Sequence, residues 1–379
     1  MGVVLLLAAL ALGAQEAAAC TTLCIRDGER IVFGKNYDWY VAEGVLLVNQ
    51  RGATRTAHAP GDRAARWQSL FGSVTFNQYG RDQPAGGINE AGLVVELMWL
   101  NGTGYPAPDA RPATGGGTGW IQYQLDTANS VAELIASEPR IRIPRTGAPL
   151  HFLVADRKGE VAVVEFRDGR MSARRGAELP APALANDFYA DSLAELRQPG
   201  AQSRFARATK RVLDYRPGGD PVRYVFDALD EVAQGKQAIA PAPPAMVTRW
   251  SIVYEVDRLR VHFRTREHPA VKRLSLESLD FACGPRVLGM DIQQSDGGDV
   301  KSRLSPFTAR ENLTLLRATY AQTEMLKQTP PAEIERIAAL PDNSPCLKRA
   351  GARRHDERAG RVRPRTASVG IGNISQHSP

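Results

Sequence analysis

Residues 20–40 read CTTLCIRDGERIVFGKNYDWY. Two β-prone runs, TTLCIR and RIVFGKN, flank Asp27-Gly28, and an Asp-Gly pair between such runs predicts a tight hairpin. A hairpin of this register brings the outer ends of its strands together, so Lys35 and Asp38 are expected beside Cys20. A thiol, an ammonium and a carboxylate would then share one strand end. Cys24 falls on the same strand face as Cys20 but about 13 Å away. That is too far for a disulfide between them, so Cys20 is expected as a free thiol.

What precedes the hairpin gives Cys20 a second meaning. Residues 2–13, GVVLLLAALALG, form an apolar run, and Ala17 and Ala19 supply an A-x-A cleavage pattern. No Lys or Arg precedes the run, which departs from the usual leader. About 12 apolar residues fall short of the ~20 that a membrane span needs. The expectation is a signal peptide over residues 1–19 and a periplasmic or secreted chain, without stable membrane insertion, that begins at Cys20.

A cysteine freed by cleavage carries a thiol and an α-amine whose ordinary pKa lies near 8. The amine can take the thiol's proton and return it to a leaving amine, which is the logic of an N-terminal nucleophile hydrolase. Such a residue needs a carboxylate to position the amine, a cation to favour thiolate and donors for an oxyanion. The competing reading is a lipid-anchored binding protein acylated at Cys20. AAAC is a weak lipobox for that purpose, with Ala17 where leucine is expected.

The chain of 379 residues can hold one large domain or two ordinary ones. Of its net charge of +7, +6 resides between Lys348 and Arg365. The remainder is nearly neutral, which argues against a nucleic-acid-binding body. Residues 348–379, basic and poor in aromatics, are predicted to be a disordered tail. The six histidines make no metal motif, the four cysteines have no zinc spacing, and no G-x-S-x-G elbow occurs. TGGGTG (114–119) lacks dinucleotide and Walker spacing and is expected as a flexible lead-in to a helix at Trp120. No metal and no cofactor are therefore expected. Cys283 and Cys346 are a candidate disulfide pair, with connectivity open.

Further strands are expected at 44–52, 92–100, in two runs around Lys158-Gly159 that end at a turn at Asp168-Gly169, and in a hairpin over 248–265. Helices are expected from Ser130, with Glu133 completing a capping box, from Asp220-Pro221 to near Gly235, and over 307–326. Residues 285–347 read as a strand-poor, helical end. With no βαβ alternation, the sheets should be antiparallel and sandwiched by helices.

The order of C-T-T at a mature N-terminus, FGKNYDW, INEAGLVVELMWL, LANDF, SRFARA and TRWSIVYEV resembles the choloylglycine hydrolase family, which includes bile salt hydrolases and penicillin V acylases. The resemblance runs from Cys20 to about Gly284. It implies an α+β fold, the four-layer αββα N-terminal nucleophile sandwich over residues 20–347, and hydrolysis of the amide bond in small N-acyl compounds. Penicillin V, N-acyl homoserine lactones and conjugated bile acids all fall within it, and acyl transfer on the same fold is an alternative outcome. By position Cys20 is similar to the nucleophile, Asp38 to the carboxylate on the α-amine, Asn186 to an oxyanion donor and Arg204 to the active-site arginine. Trp99 stands where bile salt hydrolases use a backbone N–H for the oxyanion. Trp39 and Trp99 look like the aromatic acyl walls of the Gram-negative penicillin V acylase branch and tilt the expected acyl group toward phenoxyacyl or fatty acyl. Lys35 replaces the family's usual arginine, keeping charge and losing the planar fork. The short stretch between Asn186 and Arg204 lacks the hairpin with which bile salt hydrolases assemble tetramers, so an oligomer is left open.

Overall fold

The computed structural model describes residues 20–59, 61–235, 246–284 and 286–343. The expected leader, Cys346 and the basic tail lie outside the described residues. The expected hairpin forms from β1 (Thr21–Asp27) and β2 (Arg30–Trp39). Asp27 pairs with Arg30, so the two-residue turn is Gly28-Glu29, one position later than expected, with Gly28 at φ +65°. Glycine takes that left-handed conformation without steric cost, which fixes the turn there.

After the hairpin come β3 (Val45–Asn49), β4 (Thr54–Thr56), β5 (Arg66–Gln68), β6 (Ser73–Asn77), β7 (Pro84–Asn89) and β8 (Val94–Trp99). Two helices follow, α1 (Gly116–Thr127) and α2 (Val131–Ile135). Then come β9 (Leu150–Ala155), β10 (Val161–Arg167), β11 (Arg170–Arg175) and β12 (Ala183–Leu184). Next are α3 (Tyr189–Leu196), α4 (Arg204–Asp214) and α5 (Pro221–Glu231). The described chain ends through β13 (Val247–Glu255), β14 (Arg260–Thr265), β15 (Lys272–Ser275), β16 (Leu288–Asp291), β17 (Gly298–Asp299), β18 (Ser305–Pro306), α6 (Ala309–Gln322) and α7 (Pro331–Ala339).

Two large sheets result. One runs β12-β1-β2-β13-β14-β15-β17 and the other β11-β10-β9-β8-β7-β6-β3-β16-β18. Their strand pairs are antiparallel except β15 with β17. The sheets share a core, seen where Phe76 meets Phe263 edge-on at 5.3 Å between ring centroids. α5 backs the first sheet, where the Asn36 side-chain amide donates to the Leu229 carbonyl at 2.7 Å. α1 backs the second, with Trp120 against Phe152 at 4.5 Å. Leu315 of α6 packs on Val45 and Leu47 of β3. The architecture is the expected α+β sandwich.

Side chains alternate along β2, and this sorts the site. Lys35 and Tyr37 reach the second sheet, the ammonium donating to the Leu97 carbonyl and the Tyr37 hydroxyl to Gln78 Oε1 at 3.0 Å. Asn36 and Asp38 fall on the opposite, helix-backed side.

Two local expectations change. α1 starts at Gly116, inside TGGGTG, and not at Trp120. A Cβ on Gly117 would stand 2.7 Å from Leu150 Cδ1, so the missing side chain lets the helix lie close on β9. Ser130 caps α2 by accepting from the Glu133 N–H at 3.3 Å, but Glu133 does not close the box on Ser130. Its carboxylate returns to the Asn129 backbone N–H at 2.9 Å and the Asn129 amide at 3.0 Å, where it finds two donors in place of one. Among the described residues the end is helical through α6 and α7 and strand-poor, as expected, with three short strands of which β16 pairs with β3. Without that pairing β3 would be an open sheet edge.

Candidate active site

The β1–β2 ladder sets Thr21 opposite Asn36, so Cys20 continues opposite Tyr37 with Asp38 one residue beyond. The Cys20 Sγ lies 3.9 Å from the Asp38 carbonyl oxygen, and the residue is buried. Burial pushes the thiol pKa up, while the Lys35 ammonium is the strongest influence pulling it back.

Asp38 is fully buried with its two oxygens in different circumstances. Oδ1 accepts from the Thr248 hydroxyl at 2.5 Å, because β13 pairs Thr248 directly with Asp38. Oδ2 has the Arg204 guanidinium 3.7 Å away and no hydrogen-bond partner. Burial pushes this carboxyl up to about 7, against the Thr248 hydrogen bond and the charges of Arg204 and Lys35.

Arg204 is the first residue of α4, where the helix dipole disfavours a cation. Its contacts account for it. It donates to the Cys20 carbonyl at 3.2 Å, to Thr21 Oγ1 at 3.4 Å and to Asn186 Oδ1 at 3.1 Å. With Oδ1 held by a donor, the Asn186 amide nitrogen is turned toward Trp99, whose carbonyl accepts from Nδ2 at 2.7 Å. The loop bearing Asn186 is itself tied down, since the Ala185 carbonyl lies 2.8 Å from His151 Nε2.

Trp99 ends β8. The next residue, Leu100, sends its N–H to the Pro149 carbonyl on the β9 side. Successive backbone groups alternate direction in a strand, so the Trp99 N–H and C=O point the other way, toward Asn186. On that side the β7–β8 pairing stops at Gly86 with Glu96, three residues short of Trp99.

Lys35 is fully buried beside Glu96, whose carboxyl accepts from the Tyr254 hydroxyl at 2.6 Å. Burial pushes Glu96 up to about 7, against the Lys35 charge and the Tyr254 bond. Next to Cys20 is a cavity of about 500 Å³, walled by Tyr37, Trp39, Tyr79, Trp99 and Leu326. The rings of Trp39 and Trp99 stand 5.9 Å apart at 33°.

All seven residues singled out from the sequence therefore gather here. Cys20, Asp38, Trp39 and Trp99 line the cavity, and Lys35, Asn186 and Arg204 stand behind them. Cys24 is buried, free and outside the cavity lining, its thiol pushed by burial up to about 12. Cys283 is disulfide-bonded. The stretch between Asn186 and Arg204 is occupied by α3. Among the described residues no His, Cys, Asp and Glu group could hold a metal ion.

Sequence reasoning missed Thr248, Glu96, Tyr79 and the Thr323–Leu326 segment. Thr248 opens the strand run TRWSIVYEV, but only the pairing of β13 with β2 aims it at Asp38. Tyr79 and Thr323 carry no local signal at all.

Residues 20–176 match the family profile described as linear amide C-N hydrolases, choloylglycine hydrolase family. A penicillin V acylase of Pectobacterium atrosepticum is 24% identical over 323 residues, covering 73% of this chain and 86% of that protein. Among solved structures, a penicillin V acylase from Agrobacterium tumefaciens superposes with a TM-score of 0.65 at 24% identity, over 76% of this chain and 98% of that one. A variant of the conjugated bile acid hydrolase from Clostridium perfringens gives 0.60 at 13% identity, over 74% and 98%. The hairpin, the two antiparallel sheets and the residues matched over 20–176 lead to one reading: the chain is a linear amide C–N hydrolase similar to the choloylglycine hydrolase family.

Proposed function

We propose that the mature enzyme begins at Cys20 outside the cytoplasm and cleaves N-acyl amides through a Cys20 thioester. The observation that carries this reading is Asp38 Oδ2, a buried carboxylate oxygen beside Cys20 with no hydrogen-bond partner. A buried acceptor left empty is costly, and a freed α-amine on Cys20 is the donor that would fill it. A lipid anchor would need the thiol at the surface, whereas Cys20 is only 4% exposed.

In the mechanism the α-amine accepts the thiol proton as Sγ attacks the acyl carbonyl. The Asn186 amide has one N–H on the Trp99 carbonyl and a second for the developing oxyanion. The Trp99 backbone N–H, on the same side of β8, is the other donor. The C–N bond breaks as the α-ammonium returns its proton to the departing amine. Water, deprotonated by the same α-amine, then attacks the thioester and releases the carboxylic acid and the Cys20 thiol. Lys35 keeps the thiolate accessible against burial. Trp39 and Trp99 form an apolar slot that suits a phenoxyacyl or fatty acyl group better than a sterol.

The test combines the mass of the mature N-terminus with kinetics on phenoxymethylpenicillin, an N-acyl homoserine lactone and a glycine-conjugated bile acid. Cys20→Ser should abolish turnover. Full activity in a chain that retains residues 1–19 would overturn the mechanism.

A further inference from the structure

The indole of Trp39 ends a chain of hydrogen bonds whose direction follows from counting protons. Trp39 Nε1 is a donor only, and its N–H goes to the Tyr79 hydroxyl oxygen at 2.5 Å. The Tyr79 and Thr323 hydroxyl oxygens are 2.8 Å apart. Thr323 has one proton, and it is given to the Thr319 carbonyl at 2.8 Å. Tyr79 must therefore donate to Thr323. The relay runs Trp39 to Tyr79 to Thr323 and terminates on a backbone carbonyl of α6. Every hydroxyl in it both donates and accepts, so no member can rotate without leaving a partner unsatisfied.

Two further contacts hold the same feature. Tyr320 of α6 packs edge-on against Tyr79 at 6.1 Å, and Thr323 is buried at 2% exposure. Tyr79, Thr323, Met325 and Leu326 also line the cavity beside Cys20. α6 and the segment behind it lie outside the family-matched residues 20–176, yet they supply one wall of the site.

We propose that Tyr79 and Thr323 are positioning residues that lock the Trp39 indole as the acyl-facing wall, making α6 part of the substrate-selecting apparatus. Fixing the ring in advance removes the cost of ordering it on binding, so flat or extended acyl groups gain affinity. The relay touches the acyl site and not the thiol, so its loss should fall on KM and on the preference between acyl groups. This rests on the amidase reading of the Cys20 site.

Thr323→Val keeps the shape and removes the hydroxyl, Tyr79→Phe does the same at the middle of the relay, and Thr323→Ser restores the hydroxyl. Each is assayed on phenoxyacetyl, octanoyl and glycocholyl amides, alongside the rate of Cys20 alkylation by iodoacetamide and tryptophan emission. The expected result for Thr323→Val and Tyr79→Phe is a 3- to 10-fold rise in KM for the phenoxyacetyl and octanoyl amides. Alkylation should stay at the wild-type rate, tryptophan emission should shift, and Thr323→Ser should recover most of the KM. Wild-type KM ratios in a folded Thr323→Val protein would overturn the proposal, as would an equal loss of kcat on all three amides. Absence of turnover by the wild-type enzyme on every amide would overturn the amidase reading. In that event the emission shift alone decides the relay, and an unshifted spectrum rejects it.

Discussion

The two oxygens of Asp38 meet different surroundings. Thr248 holds Oδ1, and Oδ2 has the Arg204 guanidinium at 3.7 Å and no hydrogen-bond partner. Burial pushes this carboxyl up to about 7 even with the Thr248 bond lowering it. Removing that bond must raise the Asp38 pKa further, so fewer carboxylates are ionised near neutrality. Thr248→Val should lower kcat/KM by about 10- to 100-fold, as befits a lost hydrogen bond to a charged group. The acidic limb of the pH–rate profile should move to higher pH, and an unmoved limb would show that Thr248 does not tune Asp38. Lys35 acts on the other side of the same strand. It is the largest influence opposing the burial of the Cys20 thiol, so Lys35→Met should raise that thiol's pKa. A rise of one unit means about tenfold slower alkylation by iodoacetamide at neutral pH.

At the scale of elements, β2 and β13 of one sheet are tied to β8 of the other by buried polar groups. Lys35 donates to the Leu97 carbonyl, and Tyr254 donates to Glu96. A buried acid and a buried cation between two sheets are costly unless both are satisfied, and the cost depends on pH. Glu96 is pushed from its ordinary 4.5 up to about 7, because burial disfavours the carboxylate more than Lys35 and Tyr254 favour it. With its folded pKa raised, Glu96 stabilises the fold in its protonated form. That contribution is complete below about 4.5 and is lost as pH rises through about 7. Glu96→Gln keeps an acceptor for Tyr254 and cannot ionise. Denaturant unfolding from pH 4.5 to 8 should show a loss for the parent enzyme on the order of 3 kcal/mol that the variant lacks. Parallel curves for the two proteins would mean that Glu96 stays neutral across the range or is already ionised at its lower end.

For the whole molecule, what local sequence could reveal depended on the range of the interaction. The β1–β2 hairpin was legible because a short turn fixes its register, and Lys35 and Asp38 came with it. Asn186 and Arg204 were legible only through resemblance to a family, since nothing local says that a loop and a helix start will converge on Cys20. Thr248 waits on a strand pairing 210 residues away in sequence, and Tyr79 with Thr323 on a contact spanning 244. Such contacts are set by how the sheets and α6 pack, which residue periodicity does not encode. The same convergence gives the uncleaved and cleaved chains different responses to pH. While residue 20 is bonded to Ala19, Asp38 has no amine partner, and its raised pKa makes the fold lose stability as pH climbs from about 4 through about 7. A free α-ammonium beside it would lower that pKa and remove the loss, while the amine's own pKa would rise through the pairing. The stability of a chain starting at Cys20 should therefore gain on that of the full chain between pH 5 and pH 8, measured by urea unfolding of both. Asp38→Asn should abolish the pH dependence of that difference. If the difference is the same at pH 5 and pH 8 in the parent sequence, the α-amine does not pair with Asp38, and cleavage is not what completes the site.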